Sequence, residues 1–392
     1  MTRVRVLVNA GPWLPVPPPD YGGIENVVAT LVPELRAHGV DVTVATVGSS
    51  SIAADRVVTA FEDGQFPRLG APYAAVVGLA LAHMTMVLDE LRGAAAVGRP
   101  YDLVHDHLEA VGPAVLAAAQ RGGAAASPAA VPPVLQTLHW DLHRQEDFYA
   151  TFDGGGRVWF AGVSDAQVAR AHPNLRRQVV GAVPLATPLP PWEPVEPRGH
   201  LLTLGRMTPL KGYDVAARAC RERGIPLVMA GPVGGLPDAA ALGEALADPS
   251  HPAGAYEDVR WFVEHVLPSV DGDVVRWVGS VGGDAKDEVL RTARAVLFPL
   301  QWEEPGATAV VESLSAGVPV VANARGVLPS LVDHGSTGWL AADDEEFVGY
   351  LDRVDELDRT ACRKVAEERF APPVMAERYL RLYERVLTAA SR

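Results

Sequence analysis

The chain has 392 residues, more than a single hydrophobic core usually serves, so two domains are expected. Its formal charge of −14 at pH 7 argues against nucleic acid and anionic membrane surfaces as partners, because both require a basic face. The only cysteines, Cys220 and Cys362, are too few for a disulfide framework or a metal-binding array, and we expect both to be reduced and buried.

The N-terminal residues lead directly into a strand-like segment, without the charged, apolar and small-residue order of a signal peptide. The longest apolar stretch runs from about Ala74 to Leu88. Its length of roughly 15 residues is shorter than the ~20 that a membrane-spanning helix needs. The sequence therefore predicts a cytoplasmic protein without stable membrane insertion.

Short valine- and leucine-rich runs alternate with helical patterns in the first half of the chain, as is typical of parallel β-α-β units. The first such unit has a strand at Val4–Asn9, a helix at Glu25–His38 and a second strand at Val42–Val47. Further strands are predicted at Leu103–His105, Val134–Leu138 and Val158–Val163.

Six prolines occur between Pro184 and Pro197, a composition that cannot continue a helix or a central strand and that predicts a semi-rigid spacer. We therefore place the first domain at residues 1–190 and the second at residues 198–371. Strands of the second domain are predicted at Leu201–Leu204, Leu227–Ala230, Val274–Val278, Ala295–Leu300 and Val318–Ala322. A last helix is predicted over residues 374–392.

The loop before the first helix has the sequence Asp-Tyr-Gly-Gly-Ile-Glu over residues 20–25. Gly22 and Gly23 allow close backbone approach, and the helix start offers unpaired N–H groups to an anion such as a diphosphate. An ordinary tight turn is an equal alternative. Because the segment lacks the G-x-G-x-x-G fingerprint, no nicotinamide cofactor is indicated.

Two cations, Arg206 and Lys211, lie five residues apart in a turn that follows a predicted strand, a spacing that suits convergence on phosphate oxygens. Simple solvation at the surface is the alternative. Lysine is scarce, however, because 31 of the 34 basic residues are arginines and only Lys211, Lys286 and Lys364 are lysines.

Two glutamates, Glu304 and Glu312, lie on either side of a predicted helix start that contains Gly306, Ala307 and Thr308. One glutamate lies in the loop and the other lies two turns into the helix, so the pair can reach opposite ends of one ligand. Carboxylates accept hydrogen bonds from vicinal hydroxyls, and the free amides between them face a phosphate. An E-x7-E pattern by itself is mostly chance, but this strand-loop-helix context favours function.

Histidines end two of the predicted strands in the first half. His105 and His107 are two residues apart, and His139 follows the next strand. Zinc binding is one interpretation, but no further ligands lie at suitable spacing. A ligand-contacting histidine at the carboxyl edge of the sheet is the favoured interpretation, and a hydrogen-bonded structural histidine is the alternative.

Jointly these segments resemble the family-4 retaining glycosyltransferases, whose fold is GT-B: α/β, with two Rossmann-like domains facing each other across a cleft. The resemblance includes a D-G-x-T-G-like segment and a closing Y-x-x-x-Y-like helix. The segments that carry it are the Tyr-Gly-Gly-Ile-Glu loop, Asp102–His107, Gly205–Gly212, Glu304–Val321, Asp333–Gly338 and Tyr379–Leu387.

The resemblance implies a nucleotide-sugar donor held mostly by the second domain, with Glu312 on the ribose and Glu304 on a sugar hydroxyl. Arg206 and Lys211 would neutralise the diphosphate leaving group. The implied donor-binding residues are Gly22, Gly23, Arg206, Lys211, Val278, Gly279, Glu304, Gly306, Ala307, Thr308 and Glu312. The implied catalytic residues are His107, Arg206, Lys211 and Glu304. His107, Glu109 and His139 would lie on the acceptor side.

The same resemblance implies retention of the anomeric configuration, no metal and no cofactor besides the nucleotide-sugar co-substrate. It also implies that the last helix returns to the first domain. The family's usual E-P-F-G reads Glu304-Pro305-Gly306-Ala307 here, so the donor sugar stays open between glucose, N-acetylglucosamine and other hexoses. UDP is favoured by likeness. A nucleotide-sugar 2-epimerase and a non-catalytic sugar-nucleotide binder are the alternatives.

Acids outnumber bases around the predicted acceptor residues, and no lysine precedes Lys211. We therefore expect a small soluble acceptor that is cationic or polyhydroxylated, such as an aminocyclitol. Scattered, solvated acids are the alternative. The acids concerned are Asp102, Asp106, Glu109, Asp141, Glu146 and Asp147.

Overall fold

The computed structural model describes residues 3–19, 22–69, 72–121 and 131–391. Asp20 and Tyr21 of the Gly-Gly loop lie outside the described residues. The chain forms two compact units. The first unit comprises Met1–Thr187 together with Pro372–Arg392, and the second comprises Pro188–Ala371.

The first unit contains a seven-stranded sheet in the order β3-β2-β1-β4-β5-β6-β7, with all neighbouring strands parallel. Its sequence order reverses between β1 and β4, the kind of switch point where ligands bind in open parallel sheets. The strands are β1 (Arg5–Asn9), β2 (Asp41–Thr46), β3 (Arg56–Thr59), β4 (Leu103–Asp106), β5 (Val134–Leu138), β6 (Val158–Gly162) and β7 (Val179–Ala182).

The helices of the first unit cover both faces of this sheet. In β1, Val6 and Val8 join one hydrophobic cluster and Leu7 joins the other, as the alternation of side chains along a strand requires. The helices that precede the second unit are α1 (Gly23–Ala37), α2 (Tyr73–Ala96), α3 (Val111–Arg121), α4 (Glu146–Thr151), α5 (Asp165–Arg170) and α6 (Pro173–Arg176).

Helix α2 is longer than the sequence indicated. The predicted apolar stretch of roughly 15 residues was too short to span a membrane, but the helix has 24 residues with a mean hydropathy of 1.5 in its most apolar window. The helix is long and apolar enough to cross a membrane. Core helices of soluble proteins also reach this length and apolar composition. Ala80, Met84, Val87 and Leu91 pack into the core of the first unit.

The second unit contains a six-stranded parallel sheet in the order β10-β9-β8-β11-β12-β13. It repeats the doubly wound plan of the first, with the order reversing between β8 and β11. The strands are β8 (Leu201–Leu204), β9 (Leu227–Ala230), β10 (Val275–Gly279), β11 (Val296–Phe298), β12 (Val320–Asn323) and β13 (Gly338–Ala341).

Eight α-helices are assigned in the second unit, all of whose residues the structure describes, and a last helix belongs to the first unit. Cys220 and Cys362 both lie in the second unit, and both are free and buried, as predicted. The helices are α7 (Tyr213–Arg223), α8 (Ala239–Ala247), α9 (Glu257–Trp261), α10 (Gly283–Arg291), α11 (Thr308–Ser315), α12 (Leu328–Leu331), α13 (Asp344–Tyr350), α14 (Arg359–Arg369) and α15 (Pro372–Ala390).

The proline-rich segment, predicted to be a semi-rigid spacer, is part of the second unit from Pro188 onward. The Trp192 indole N–H donates to the Ala316 carbonyl at 3.0 Å, and Gly317 leaves room for the indole ring. A guanidinium N–H of Arg363 donates to the Pro190 carbonyl at 3.0 Å. The prolines do prevent regular secondary structure, as predicted. The start of the segment belongs to the first unit, because Leu185 and Ala186 lie in its core, and the part from Pro188 onward is hydrogen-bonded within the second unit.

Candidate functional site

Two loops meet at the carboxyl edge of the second sheet, where β8 and β11 are neighbours. The Gln301 N–H donates to the Leu210 carbonyl at 2.9 Å, which joins the loop after β11 to the loop after β8. Gly212 has φ +64° there, and a Cβ atom would lie 2.0 Å from the Pro299 carbonyl oxygen. Only glycine therefore allows the loop that carries Lys211 to approach this closely.

Lys211 and Glu304 form an ion pair across these loops. The Lys211 Nζ lies 2.6 Å from Glu304 Oε2, and the carboxylate side chain is 11% exposed. The ammonium also lies 5.8 Å from the centre of the Trp302 ring. Lys211 and Glu304, which were expected to contact different parts of one nucleotide sugar, thus bind each other here. The ammonium has three N–H groups, so it can also contact a phosphate.

The loop after β12 supports the backbone of Glu304. The Val327 N–H donates to the Glu304 carbonyl at 2.8 Å, and the Gly326 N–H donates to Glu303 Oε2 at 2.6 Å. At Gly326, φ is +57° and a Cβ atom would lie 2.2 Å from the Glu304 carbonyl oxygen. Neither Glu303 nor Gly326 could be identified from the sequence, because their mutual hydrogen bond joins positions 23 residues apart and belongs to no motif.

Glu312 lies on α11 and pairs with Lys286 of α10. The Lys286 Nζ lies 2.9 Å from Glu312 Oε2, and both side chains are about three-quarters buried. The sequence marked Lys286 only as one of three lysines and gave it no role. The scarcity of lysine in the chain was the one sequence signal that could have identified Lys286.

The start of α11 departs from ideal backbone geometry. Ala307 precedes the helix with φ +48° and ψ +56°, a left-handed conformation that suits glycine, while the glycine of this loop is the preceding Gly306. A non-glycine residue in this region costs roughly 1–2 kcal/mol. Thr308 is the first residue of the helix, so strain is stored where the free amides begin.

Arg206 and Val278 are exposed at the same edge of the second sheet. The charge of Arg206 partly offsets the burial that raises the pKa of Asp258. The side chain of Val278, near the end of β10, is 42% exposed although it is apolar. Gly279 has φ +73°, and a Cβ atom would lie 2.4 Å from the Pro237 carbonyl oxygen.

In the first unit, His105 is held by hydrogen bonds on both ring nitrogens. Nδ1 lies 2.8 Å from the Tyr383 hydroxyl and Nε2 lies 2.8 Å from Thr137 Oγ1. Burial, aided by the charge of His139, lowers the pKa of His105 to about 3. His105 is therefore a satisfied structural histidine, tied to helix α15.

His107 and His139 lie together at the carboxyl edge of this sheet. His107 Nδ1 lies 2.8 Å from His139 Nε2, and His107 Nε2 is buried with no hydrogen-bond partner in the described part of the chain. Burial lowers the pKa of His139 to about 4 and holds that of His107 well below its usual range, aided by His105 and His139. Both rings are neutral at pH 7, so each offers one donor and one acceptor.

The acids near these histidines do not form one anionic surface. Burial raises the pKa of Glu109 to about 8, against the opposing charge of Arg144, and raises that of Asp106 to about 8. Asp106 accepts a hydrogen bond from Asn9 at 2.6 Å. The other predicted acids include Asp102, which accepts from the Arg5 N–H at 2.8 Å, Asp141, 3.6 Å from Arg170, and Glu146, 3.6 Å from His143.

Helix α1 begins beside β1, at the same edge of the sheet. Its start has no side-chain cap among the described residues. A Cβ atom at Gly22 would lie 2.7 Å from the Pro18 ring, whereas Gly23 has open space around it. Burial raises the pKa of Glu25, in the first turn, to about 7. The geometry is compatible with backbone approach of an anion at Gly23.

No group of three or more His, Cys, Asp or Glu residues is placed to hold a metal ion in the described ranges. His105 and His107 lie on one side of their strand, with ring centres 4.3 Å apart. Their hydrogen bonds go to Tyr383, Thr137 and His139.

Two family models together cover most of the chain. Residues 21–180 match the family described as Glycosyltransferase Family 4. Residues 191–369 match the family described as Glycosyl transferases group 1. The two segments fall in the first and second units.

Curated relatives match over shorter segments. D-inositol 3-phosphate glycosyltransferase of Actinosynnema mirum is 32% identical over 171 residues, 41% of this chain and 35% of that protein. Spore coat protein SA of Bacillus subtilis is 25% identical over 130 residues, 31% of this chain and 34% of that protein. The chain thus spans about a third of the length of the curated relatives that it matches.

Solved structures share the fold over nearly the full chain. AviGT4, a glycosyltransferase involved in avilamycin A biosynthesis, has a TM-score of 0.66 at 23% identity, with 98% of each chain covered. Sucrose-phosphate synthase from Thermosynechococcus elongatus has a TM-score of 0.69 at 19% identity, covering 99% of this chain and 100% of that one. Anabaena HepE in complex with UDP and glucose has a TM-score of 0.64 at 14% identity, covering 98% and 100%.

Proposed function

This chain belongs to the family-4-like glycosyltransferases with the GT-B fold, and we propose that it transfers a hexose from a UDP-hexose to a hydroxyl of a small soluble acceptor. The observation that carries the proposal is the Lys211–Glu304 pair at the carboxyl edge of the second sheet. A cation suited to a diphosphate and a carboxylate suited to a sugar hydroxyl lie within one hydrogen-bond length of each other. This short distance supports a role for the two groups on neighbouring parts of one donor.

The donor assignment rests on the chemistry of the second unit. Glu304 and Glu312 offer acceptors to the hydroxyls of a hexose and a ribose, and the start of α11 lies between them. Anabaena HepE, which shares the fold, is solved with UDP and glucose and with UDP-glucose. We propose a hexose of the glucose or N-acetylglucosamine type.

Lys211 and Arg206 would stabilise the charge that develops on the departing diphosphate. An ammonium or guanidinium group near the phosphates supplies this without a metal ion. We propose a retaining transfer in which a phosphate oxygen of the donor takes the acceptor proton. The protein then contributes mainly positioning and electrostatic stabilisation.

His107 would bind a hydroxyl group on the acceptor side. Its ring is neutral, and its buried Nε2 has no partner in the part of the chain that the structure describes. A ligand hydroxyl would satisfy this nitrogen, which otherwise costs roughly 1–3 kcal/mol. His139 would fix the orientation of the ring through the 2.8 Å contact.

For the acceptor we propose a cyclitol, and specifically an aminocyclitol. The name of the Actinosynnema mirum relative supports a cyclitol as the polyhydroxylated group. An ammonium group would favour ionisation of Glu109, which burial opposes in the ligand-free protein. Because most of the nearby acids have other partners, Glu109 is the carboxylate on which this part of the proposal depends.

The experiment is incubation of the purified chain with UDP-glucose, UDP-N-acetylglucosamine and GDP-glucose, each with and without inositol and an aminocyclitol. We expect UDP release that an acceptor stimulates. Donor epimerised without an acceptor would favour the 2-epimerase alternative. Donor bound without any turnover would favour a non-catalytic binder.

A further inference from the structure

Two of the three lysines in the chain pair with the two glutamates of the proposed donor site. Lys211 pairs with Glu304 at 2.6 Å, and Lys286 pairs with Glu312 at 2.9 Å. The remaining basic residues, apart from Lys364, are 31 arginines. Both Glu304 and Glu312 are thus paired with a lysine, although most basic residues of this chain are arginines.

The Lys286–Glu312 pair joins two helices of the second unit. Lys286 lies in the first turn of α10 and Glu312 lies in the middle of α11. The side chains are 30% and 26% exposed. Partial burial makes such a contact stronger than one at an open surface, where each side chain would be free to leave it.

The choice of lysine has a chemical consequence for Glu312. An ammonium is a compact charge that occupies one carboxylate oxygen, Oε2 in this structure. A guanidinium would bind both oxygens as a fork and would compete with any ligand for them. Lysine therefore orients the carboxylate and leaves acceptor positions for a pair of vicinal hydroxyls.

We propose that Lys286 is a positioning residue of the donor site, which holds the Glu312 carboxylate so that it accepts both hydroxyls of the donor ribose. The proposal rests on the proposed function, because it assumes a nucleotide in the second unit. Lys286 acts through Glu312 and does not contact the reacting atoms. Its loss lowers the affinity for ribonucleotides and the preference for them over deoxyribonucleotides.

The test compares the binding of UDP and 2′-deoxy-UDP by calorimetry in the full chain. The wild type should prefer UDP by about tenfold or more, as expected for a hydrogen bond to a charged group. Lys286→Met should lose most of this preference, with a higher KM for the donor and little change in kcat. Lys286→Arg keeps the charge, but it should lose the preference for UDP as well, because the guanidinium fork occupies both carboxylate oxygens of Glu312.

Lys364→Met is the matched control. Lys364 is the third lysine, its side chain is 70% exposed, and its nearest carboxylate is that of Glu368 at 3.9 Å. This variant should bind both nucleotides as the wild type does. Glu312→Gln should lose the same preference as Lys286→Met, and the double variant should bind UDP no more weakly than Glu312→Gln alone.

Two results would overturn the inference: a wild-type preference for UDP retained in Lys286→Met, or losses from the two single variants that add in the double variant. Thermal unfolding of each variant checks that the fold persists. A wild type that binds neither nucleotide would instead refute the proposed function, and this inference with it.

Discussion

At the scale of the residue, Lys211 does two things that a solvated surface lysine does not. It neutralises the largely buried Glu304 carboxylate, and it places a positive charge where a diphosphate is expected. Lys364 does neither, because its side chain is mostly exposed. Substitution by alanine is therefore expected to lower turnover at Lys211 and to leave it unchanged at Lys364.

Lys211→Ala should lower kcat by about 10²–10³, equivalent to ~2.7–4 kcal/mol of transition-state stabilisation, because a charge-stabilising contact to the leaving group is lost. Arg206→Ala should have an effect of the same kind. Lys364→Ala should keep wild-type turnover. Steady-state kinetics with the preferred UDP-sugar measures this, and near-normal turnover in both Lys211→Ala and Arg206→Ala would remove the leaving-group role.

Asp106 gives a second prediction, on stability. Burial raises its pKa to about 8 in the folded chain, above the value of about 3.9 in an unfolded one. The folded state therefore binds the extra proton, so this group contributes stability below pH 4 that is lost as pH rises through about 8.

Asp106→Asn cannot ionise, so it should gain stability relative to the wild type by about 1 kcal/mol for each pH unit between pH 5 and 8. Urea unfolding at pH 6, 7 and 8 measures the difference. Asp102→Asn is the control, because it makes the same substitution at an exposed aspartate of the same unit. An Asp106→Asn difference that is constant with pH would show that Asp106 is ionised in the folded state.

At the scale of the element, the central strands could be predicted because buried parallel strands are mostly continuous apolar runs, as at Leu227–Ala230. The strands β3, β7 and β13 were missed. Arg56–Thr59 and Val179–Ala182 are edge strands with partly exposed side chains, so no apolar run marks them. Gly338–Ala341 was hidden because the D-G-x-T-G-like segment ends where it begins.

Part of the candidate site could be predicted from local sequence, and part depends on contacts between distant segments. The positions of Lys211, Glu304 and Glu312 at one sheet edge follow from the strands that precede them, and the motifs identified all three. Their pairing partners could not be predicted, because Lys286 reaches Glu312 only once β10 and β11 are placed in the sheet. Gly326 supports Glu304 from 22 positions later in the chain, through a backbone contact that leaves no motif.

The start of α11 gives a third prediction. Ala307→Gly should stabilise the chain by up to about 1 kcal/mol, because glycine removes left-handed strain but has a larger unfolded-state entropy. It should also raise the donor KM, because Gly306 and a second glycine loosen the amides that precede Thr308.

Ala110→Gly is the matched control, since Ala110 has the same φ of +48° just before α3 in the first unit. It should give a similar gain in stability without a change in donor KM. Urea unfolding and donor kinetics on both variants test this. Loss of stability in Ala307→Gly would show that the left-handed conformation carries no strain there.

At the scale of the whole molecule, both units have the same doubly wound plan, but their carboxyl edges carry different chemistry. The first unit presents histidines whose pKa values burial lowers, together with Asp106 and Glu109, whose pKa values burial raises. The second presents charged lysine–glutamate pairs. This difference is what the proposed division between a hydroxyl-binding acceptor side and an ionic donor side requires.

Activity should not depend on added divalent metal, because Lys211 and Arg206 supply positive charge to the diphosphate. EDTA should leave the initial rate within about twofold, as expected when no metal stabilises the leaving group. Rates with EDTA, and with EDTA plus excess Mg²⁺ or Mn²⁺, measure this. Loss of activity with EDTA and its recovery with a divalent ion would contradict the account of the leaving group.

The most direct test of the central claim is mass spectrometry of the products formed from a UDP-hexose and a panel of cyclitol and aminocyclitol acceptors, by the wild type and by Glu304→Gln. The account predicts UDP and a hexosylated acceptor from the wild type, and strongly reduced amounts of both from Glu304→Gln. An unmodified acceptor with every nucleotide sugar, or undiminished transfer by Glu304→Gln, would contradict it.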